Sequence, residues 1–343
     1  MKILVTGGCG YIGSHTIVDL VEHGFEVLSI DDNSRSMGKV MRGVAKILGK
    51  KIKNYTINLT DKNALQAFFK MHNDIVGIIH FAAFKSVPES VAHPLRYYDN
   101  NLNSLINLLA CVEEHQIPHF IFSSSCSVYG NVTQLPVMED NPLARAESPY
   151  ANTKQMGEDI IQHFAKINQS NYILLRYFNP VGAHPSIIIG EIQEKPQNLV
   201  PVITQTAIGK RESMMVFGKD YDTKDGSCVR DYIHVMDIAN AHTKALQYLL
   251  AENNSSNCEV FNLGTGEGVT VLEAIEAFEK VSGQSLNYTL GERRPGDVIA
   301  VYANNDKAKT QLGWLPQSDI EDMMHTAWEW EKALANGIDW LEN

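Results

Sequence analysis

The feature that most constrains the fold lies at the start of the numbering. An apolar run, Lys2-Ile3-Leu4-Val5-Thr6, leads directly into Gly7-Gly8-Cys9-Gly10-Tyr11-Ile12-Gly13. A run of that kind suits a strand buried on both faces, and hence a parallel sheet. An amphipathic stretch over residues 12–23 follows and is closed by Gly24, a helix stop. Glycines 8, 10 and 13 fit G-x-G-x-x-G, and glycines 7, 10 and 13 fit the looser G-x-x-G-x-x-G. Either spacing permits a tight turn, close backbone approach to a pyrophosphate and close helix–strand packing. The helix N-terminus then offers free N–H groups and a positive dipole end to the anion. A second strand over residues 25–30 ends at Asp31-Asp32. An acid there accepts hydrogen bonds from an adenosine ribose and repels a 2′-phosphate, so Asp31 argues for NAD over NADP, with Arg35 nearby as the opposing feature.

The run Ser148-Pro149-Tyr150-Ala151-Asn152-Thr153-Lys154 sets a tyrosine and a lysine four apart, on one face of a helix. An unperturbed tyrosine has a pKa near ~10 and is a poor base at neutral pH. A cation at roughly 5 Å, in an effective dielectric of about 20, favours the phenolate by on the order of 3 kcal/mol, or about two pKa units. A second positive charge, such as an oxidised nicotinamide, would bring the phenol close to working pH. Alone, this spacing is also that of an ordinary helical pair. It gains weight from sharing a chain with the glycine turn.

At 343 residues the chain can hold one large core with a satellite domain. Its 44% hydrophobic and 20% charged content is that of an ordinary globular protein. No signal-type leader or membrane-length apolar run is evident, so a cytoplasmic location is expected. Cysteines 9, 111, 126, 228 and 258 are odd in number and lack C-x-x-C spacing, which suggests neither a disulfide framework nor a zinc site. The histidines form no H-x-H or H-E-x-x-H group, and no metal is expected. A formal charge of −11 disfavours nucleic-acid binding through a general basic field. An anionic substrate would need positive charge concentrated locally, at Arg230, Arg293 or Arg294.

Strand-like runs recur at residues 51–58, 74–83, 119–124, 172–178 and 259–263, with helical spacing at 62–71, 100–115 and 150–167 between them. The alternation predicts an α/β fold: a Rossmann-like doubly wound parallel sheet, with ligands beyond the carboxyl ends of its strands. After about residue 179 the texture breaks up, with helices expected near 199–209, 235–251, 270–282 and 319–336. The expected division is a dinucleotide-binding domain over 1–178, with a return segment of about 235–268. A smaller, discontinuous mixed α/β substrate lobe takes the rest of 179–343.

With these residues assembled, the chain resembles the extended short-chain dehydrogenase/reductase family, and within it the nucleotide-sugar 4-epimerases. The resemblance runs nearly end to end. Besides the glycine turn it rests on His80-Phe81-Ala82-Ala83-Phe84-Lys85, Tyr97-Tyr98-Asp99-Asn100-Asn101 and Phe122-Ser123-Ser124-Ser125-Cys126-Ser127-Val128-Tyr129-Gly130. Later come Arg176-Tyr177-Phe178-Asn179-Pro180-Val181-Gly182-Ala183-His184-Pro185-Ser186 and Val229-Arg230-Asp231-Tyr232-Ile233-His234. The resemblance implies a retained NAD that takes hydride from C4 of a UDP-hexose. A 4-keto sugar then turns within the site before hydride returns to its other face.

By position, the resemblance makes Tyr150 the base at O4, Ser125 a hydrogen-bond partner of O4, and Lys154 the holder of the nicotinamide ribose. It places the cofactor against Gly7, Gly10, Tyr11, Ile12, Gly13, Asp31, Asn33, Ser36, Asn58, Leu59, Phe81, Ala82, Lys85, Asn100 and Tyr177, besides Ser125, Tyr150 and Lys154. It places the nucleotide sugar against Lys85, Ser125, Tyr150, Phe178, Asn179, Asn198, Leu199, Val216, Phe217, Arg230, Arg294, Asp297 and Val301. The arginines suit diphosphate oxygens because their planar cations form paired hydrogen bonds. A homodimer joined through helices near 100–115 and 150–167 is implied in the same way.

Three departures from the family pattern stand out. Asn58 occupies a place where many relatives carry Asp, and its amide oxygen is expected still to accept from the adenine amino group. Ala83 replaces a common glycine, which is tolerable if its φ stays negative. Val301 stands where some relatives have a large tyrosine, and leaves room for an N-acetyl group, which would admit UDP-GlcNAc and UDP-GalNAc. Three other readings share the scaffold, one of them an epimerase acting on another nucleotide sugar. A 4,6-dehydratase or decarboxylase needs an added acid near the catalytic hydroxyl, whereas this stretch reads Ser125-Cys126-Ser127. A non-catalytic NAD-dependent sensor would have no use for an intact Ser125, Tyr150 and Lys154.

Overall fold

In a computed structural model, which describes residues 1–132, 134–193, 196–294 and 298–342, short apolar strands build a seven-stranded parallel sheet. Its strands are β1 (Lys2–Thr6), β2 (Glu26–Ile30), β3 (Asn54–Tyr55), β4 (Ile75–His80), β5 (His119–Ser125), β6 (Asn171–Tyr177) and, much later in the chain, Cys258–Leu263. The last of these pairs in parallel register with β6, Cys258 opposite Tyr172 and Leu263 opposite Tyr177. From that edge the order runs through β6, β5, β4, β1 and β2 to β3. The strand order reverses at β1, which lies between β2 and β4, and a crevice opens there beyond the carboxyl ends.

Alternation along β1 assigns the two faces. Ile3 and Val5 join a core with Ile17, Val18 and Leu20 of helix α1 (Tyr11–Glu22), whereas Leu4 points to the other side. There it meets Leu65, Phe68 and Phe69 of α3 (Lys62–Met71), Leu105 and Leu108 of α5 (Pro94–Glu114), and Ile161 of α6 (Pro149–Ala165). Two short helices, α2 (Val40–Leu48) and α4 (Val87–Ala92), complete this half.

The remaining elements are β7 (Asn179–Val181), α7 (Leu199–Ala207), β8 (Met214–Phe217), β9 (Val229–Arg230), β10 (Tyr232–His234), α8 (Val235–Leu250), then β11, the returning Cys258–Leu263. After it come β12 (Val269–Thr270), α9 (Val271–Ser282), β13 (Tyr288–Gly291), β14 (Ala300–Val301), α10 (Ile320–Ala335) and α11 (Asp339–Glu342). Helix α8 packs Ile238, Ala241, Ala245 and Leu246 into the core that α1 shares. A separate cluster of Val181, Val200, Ile203, Met214, Val216, Phe278, Met323 and Met324 holds the smaller lobe together.

The structure departs from the sequence-based expectation at several elements, and three of them show why. Helix α2 was not expected: its apolar face is completed by residues far along the chain, with Ile189 and Trp340 at 2.7 and 2.9 Å from where a Cβ on Gly43 would stand. The expected strand over 51–58 shrinks to Asn54–Tyr55, because it lies at the sheet edge with a partner on one side only. The helix expected from residue 100 begins at Pro94, since proline is well placed in a first turn where its missing N–H costs nothing.

Among the described residues no helix is long and apolar enough to cross a membrane. Nor do three His, Cys, Asp or Glu side chains gather as a metal ion would require.

Candidate active site

The glycine turn joins β1 to α1, and its geometry leaves no room for side chains. Gly7 sits at φ 70° and donates its N–H to Ile30 at 2.7 Å. A Cβ on Gly13 would stand 2.2 Å from the Gly7 carbonyl oxygen, and one on Gly7 2.7 Å from the backbone nitrogen of Ala82. Helix α1 therefore starts hard against the strand. Gly10 is its N-cap, without a side-chain cap, and no acid occupies the first turn, so its amide groups face the crevice unmasked.

Asp31, at the end of β2, accepts hydrogen bonds from Cys9 N at 3.0 Å, Asn33 N at 2.9 Å and Ser36 Oγ at 2.6 Å. It thus ties the glycine turn to the loop after β2. Asn33 takes a left-handed φ of 59°, and its side-chain oxygen is buried without a partner. Asn58 differs from expectation: its side-chain oxygen already accepts from Thr60 N at 2.9 Å and Thr60 Oγ1 at 2.8 Å. What Asn58 can still offer an adenine is its amide N–H. Ala83 stays outside the left-handed region, so the methyl adds no backbone strain.

The other residues expected at the cofactor lie in the loops after the strands and on helices α1 and α5. Leu59 is buried, and the Phe81 ring lies 4.6 Å from that of His242. Tyr11 donates to the Gly182 carbonyl at 2.5 Å, which joins α1 to the loop after β7. Lys85 pairs with Glu191 at 3.1 Å, and Asn100 donates to Asn101 at 3.0 Å. An uncapped helix start, a glycine cradle that a Cβ would fill and an orphaned buried amide oxygen suit a dinucleotide.

Tyr150 and Lys154 owe their placement to the start of α6. Ser148 caps the helix by accepting from Ala151 N, Pro149 occupies its first position, and Tyr150 follows in the first turn. Ser125 ends β5, and its hydroxyl lies close enough to the Tyr150 phenol to favour the phenolate. Burial raises the phenol above its ordinary range, and Tyr177 adds to the rise, while the Ser125 hydroxyl opposes it. The expectation that Lys154 would by itself bring Tyr150 down is therefore not met by the chain's own groups. The lysine is buried, its Nζ donating to the Ser123 carbonyl at 2.6 Å and lying 4.8 Å from the Phe122 ring centre. Burial lowers its pKa to about 8, against the pull of Glu158 one turn on.

Sequence reasoning gave three neighbours no role of their own. Ser123 supplies the carbonyl under Lys154 and bonds the Tyr177 hydroxyl through its side chain. Asn101 bridges the Phe84 backbone and Thr153 of α6. Glu158 lies one turn beyond Lys154, fully buried, and the spacing Tyr150, Lys154, Glu158 was the available signal.

Toward the smaller lobe, Phe178 is buried in one cluster with Val128, Tyr129 and Val301. Val301 on β14 pairs with Arg230 on β9. The Arg230 guanidinium donates to the carbonyls of Val229 and Val298 at 2.8 and 2.7 Å, and its charge reaches Cys126, next to Ser125. Asn179 donates its backbone N–H to the Asp231 carbonyl at 3.0 Å. Asn198 is the N-cap of α7, without a side-chain cap, and Leu199 opens that helix. Val216 is buried and Phe217 exposed on β8, with the Arg294 guanidinium 5.5 Å from the Phe217 ring centre. Arg293, a third candidate cation, is held by Asp220 at 2.8 Å and stacks on Tyr221. Asp297 lies outside the described residues.

Comparison with known proteins agrees with this geometry. The family model for GDP-mannose 4,6 dehydratase matches residues 4–327. A UDP-glucose 4-epimerase of Bacillus subtilis is 46% identical over 98% of this chain and 98% of its own length. A UDP-glucose-4-epimerase of Stenotrophomonas maltophila, solved with bound NAD and formylated UDP-arabinopyranose, superposes with a TM-score of 0.95 at 40% identity, covering 98% of this chain and 99% of that one. A UDP-Glc/GlcNAc 4-epimerase of Campylobacter jejuni superposes at 0.83 with 37% identity, covering 96% and 99%. The chain belongs to the UDP-glucose 4-epimerase family, a branch of the extended short-chain dehydrogenases/reductases.

Proposed function

We propose that the protein interconverts UDP-galactose and UDP-glucose by inverting C4 through a 4-keto sugar, with Tyr150, Ser125 and Lys154 as the groups at the reacting centre. The observation that carries this reading is the meeting of Ser125, at the end of β5, with the Tyr150 phenol at the start of α6, beside the crevice that suits NAD. When bound, NAD supplies the acceptor and donor of hydride for sugar C4. Tyr150 takes the O4 proton as C4 is oxidised and returns it when the carbonyl is reduced from its other face, so protons and electrons balance over the cycle. Burial keeps the phenol protonated among the chain's own groups, so an added positive charge is needed before it acts as a base. Ser125 orients O4 through its hydroxyl, and Lys154 holds the nicotinamide ribose.

The diphosphate is assigned to Arg230, Arg294 and the uncapped start of α7 at Asn198 and Leu199, with Phe217 and Val216 beside the base. Val301 is a small side chain packed in the Phe178 cluster, and UDP-GlcNAc and UDP-GalNAc are proposed as additional substrates on the ground of its size. A cytosolic location and a homodimer complete the proposal. The dimer reading is supported by Val91, Leu95, Ile106 and Met156, exposed on α4, α5 and α6, and sedimentation tests it.

Incubation of the purified protein with UDP-galactose, without added NAD, tests the main reading. UDP-glucose is the expected product. A keto-deoxy sugar would mark a dehydratase, and no product would mark a sensor.

A further inference from the structure

Behind the Tyr150–Lys154 face lies a buried charge pair that the reaction as described does not use. Glu158 is fully buried and accepts from Arg176 Nε at 2.9 Å, Arg176 Nη2 at 2.6 Å and Ser124 Oγ at 2.5 Å. Arg176 is itself fixed by the Tyr129 hydroxyl at 3.0 Å and the Glu139 carbonyl at 3.1 Å. A buried ion pair is a poor stabiliser next to well-packed apolar side chains. Stability alone is therefore a weak reason for this one.

Its position supplies another. Residues 150, 154 and 158 share one stripe of α6, and Ser124 adjoins both Ser123, whose carbonyl holds Lys154, and Ser125. On its own helix Lys154 shares its stripe with Tyr150 and feels the charge of Glu158, and its own charge bears on His80 of β4, a histidine kept neutral by burial. Beyond them stand Tyr177, bonded to Ser123, and Arg176, bonded to Glu158. Cys258 faces Glu158 from β11 with its thiol protonated by burial. Glu158 is thus the nearby carboxylate that offsets the burial of the lysine charge.

We propose that Glu158, anchored by Arg176 and Ser124, is a positioning residue that acts through Lys154, supplying the counter-charge that holds a buried ammonium beside Tyr150. The inference rests on the reading that Tyr150 and Lys154 serve the reaction.

Glu158→Gln alone would strand the Arg176 charge, so the test uses neutral pairs, Glu158→Gln/Arg176→Gln and Glu158→Gln/Arg176→Met, beside Arg176→Lys, which keeps both charges but loses the forked geometry. The NAD-loaded proteins are titrated by NMR with ¹³Cε-labelled lysine, the Lys154 signal being assigned by its loss in Lys154→Arg. The neutral pairs are expected to titrate lower than wild type by about one pH unit or more, with the alkaline limb of kcat moving the same way. Arg176→Lys is expected to melt lower yet keep the wild-type midpoint. A neutral pair that titrates with wild type, or an Arg176→Lys midpoint that falls as far as the neutral pairs, overturns the proposal. Near-native turnover in Tyr150→Phe would instead defeat the underlying reading, whatever the Lys154 midpoint.

Discussion

Lys154 ends on the main-chain carbonyl of Ser123, 2.6 Å from its Nζ, so the buried ammonium is held by the strand end that also carries Ser125. Its pKa falls from the ordinary 10.5 to about 8 because burial penalises the charge. Turnover is therefore expected to decline as pH rises through about 8 and the ammonium is lost. Stability moves the other way. Between about 8 and 10.5 the unfolded chain keeps a proton that the folded one has released, so the contribution of Lys154 to stability rises with pH across that window. Below it, burying the ammonium costs on the order of 3 kcal/mol. Lys154→Met is accordingly expected to abolish turnover while raising the Tm of NAD-stripped protein at pH 7, with the gain shrinking by pH 10. A variant that melts below wild type at pH 7 would contradict the stated cost.

Tyr150→Phe removes the proposed proton acceptor and little else, since the ring stays and only the hydroxyl near Ser125 is lost. Turnover of UDP-galactose is expected to fall by about 10²–10⁴-fold. NAD released on denaturation, measured against protein, should match wild type. Near-native turnover, or protein purified without NAD, would remove Tyr150 from its assigned role.

Gly13→Ala tests the cradle rather than the chemistry. The added methyl would stand 2.2 Å from the Gly7 oxygen and 2.9 Å from the Gly8 Cα, both of them backbone atoms that cannot swing aside. The turn must open, and the α1 amide groups move from the pyrophosphate position. Purified variant is expected to carry almost no NAD while keeping its far-UV circular dichroism. A full complement of NAD would show that the turn can yield.

The sheet and the reacting face were legible because they are local. A five-residue strand with Ile3, Leu4 and Val5 at its centre, leading into a glycine turn, specifies β1 and α1, and a Ser-Pro start sets Tyr150 and Lys154 on one side of α6. Other features were not legible, because distant residues create them. Helix α2 is packed by Ile189 and Trp340, and the carbonyl that receives Lys154 belongs to Ser123 on another element. The electrostatic argument for Tyr150 counted nearby cations and omitted burial, and among the folded chain's own groups burial is the largest effect. Burial is set by tertiary packing, which the spacing of two residues on a helix does not report.

Val301 offers the sharpest test of substrate choice. It is 9% exposed, pairs with Arg230 across β14 and β9, and packs in the cluster of Phe178, Val128 and Tyr129. Val301 belongs to neither β5 nor α6, so a larger residue there adds bulk at the proposed sugar pocket while leaving the Tyr150 and Lys154 side chains as they are. Wild-type protein is expected to epimerise UDP-GlcNAc as well as UDP-glucose, and Val301→Tyr to lose the first activity while keeping the second. Overpacking the cluster is expected to cost roughly 1–3 kcal/mol, so the variant should melt lower yet remain folded. Parallel product analysis on UDP-galactose and UDP-GalNAc separates the effects. Equal losses on both would mean that the ring distorts the site rather than excluding the acetamido group. Absence of wild-type turnover on UDP-GlcNAc, with UDP-glucose active, would mean that the small side chain of Val301 is not enough to admit an N-acetyl group.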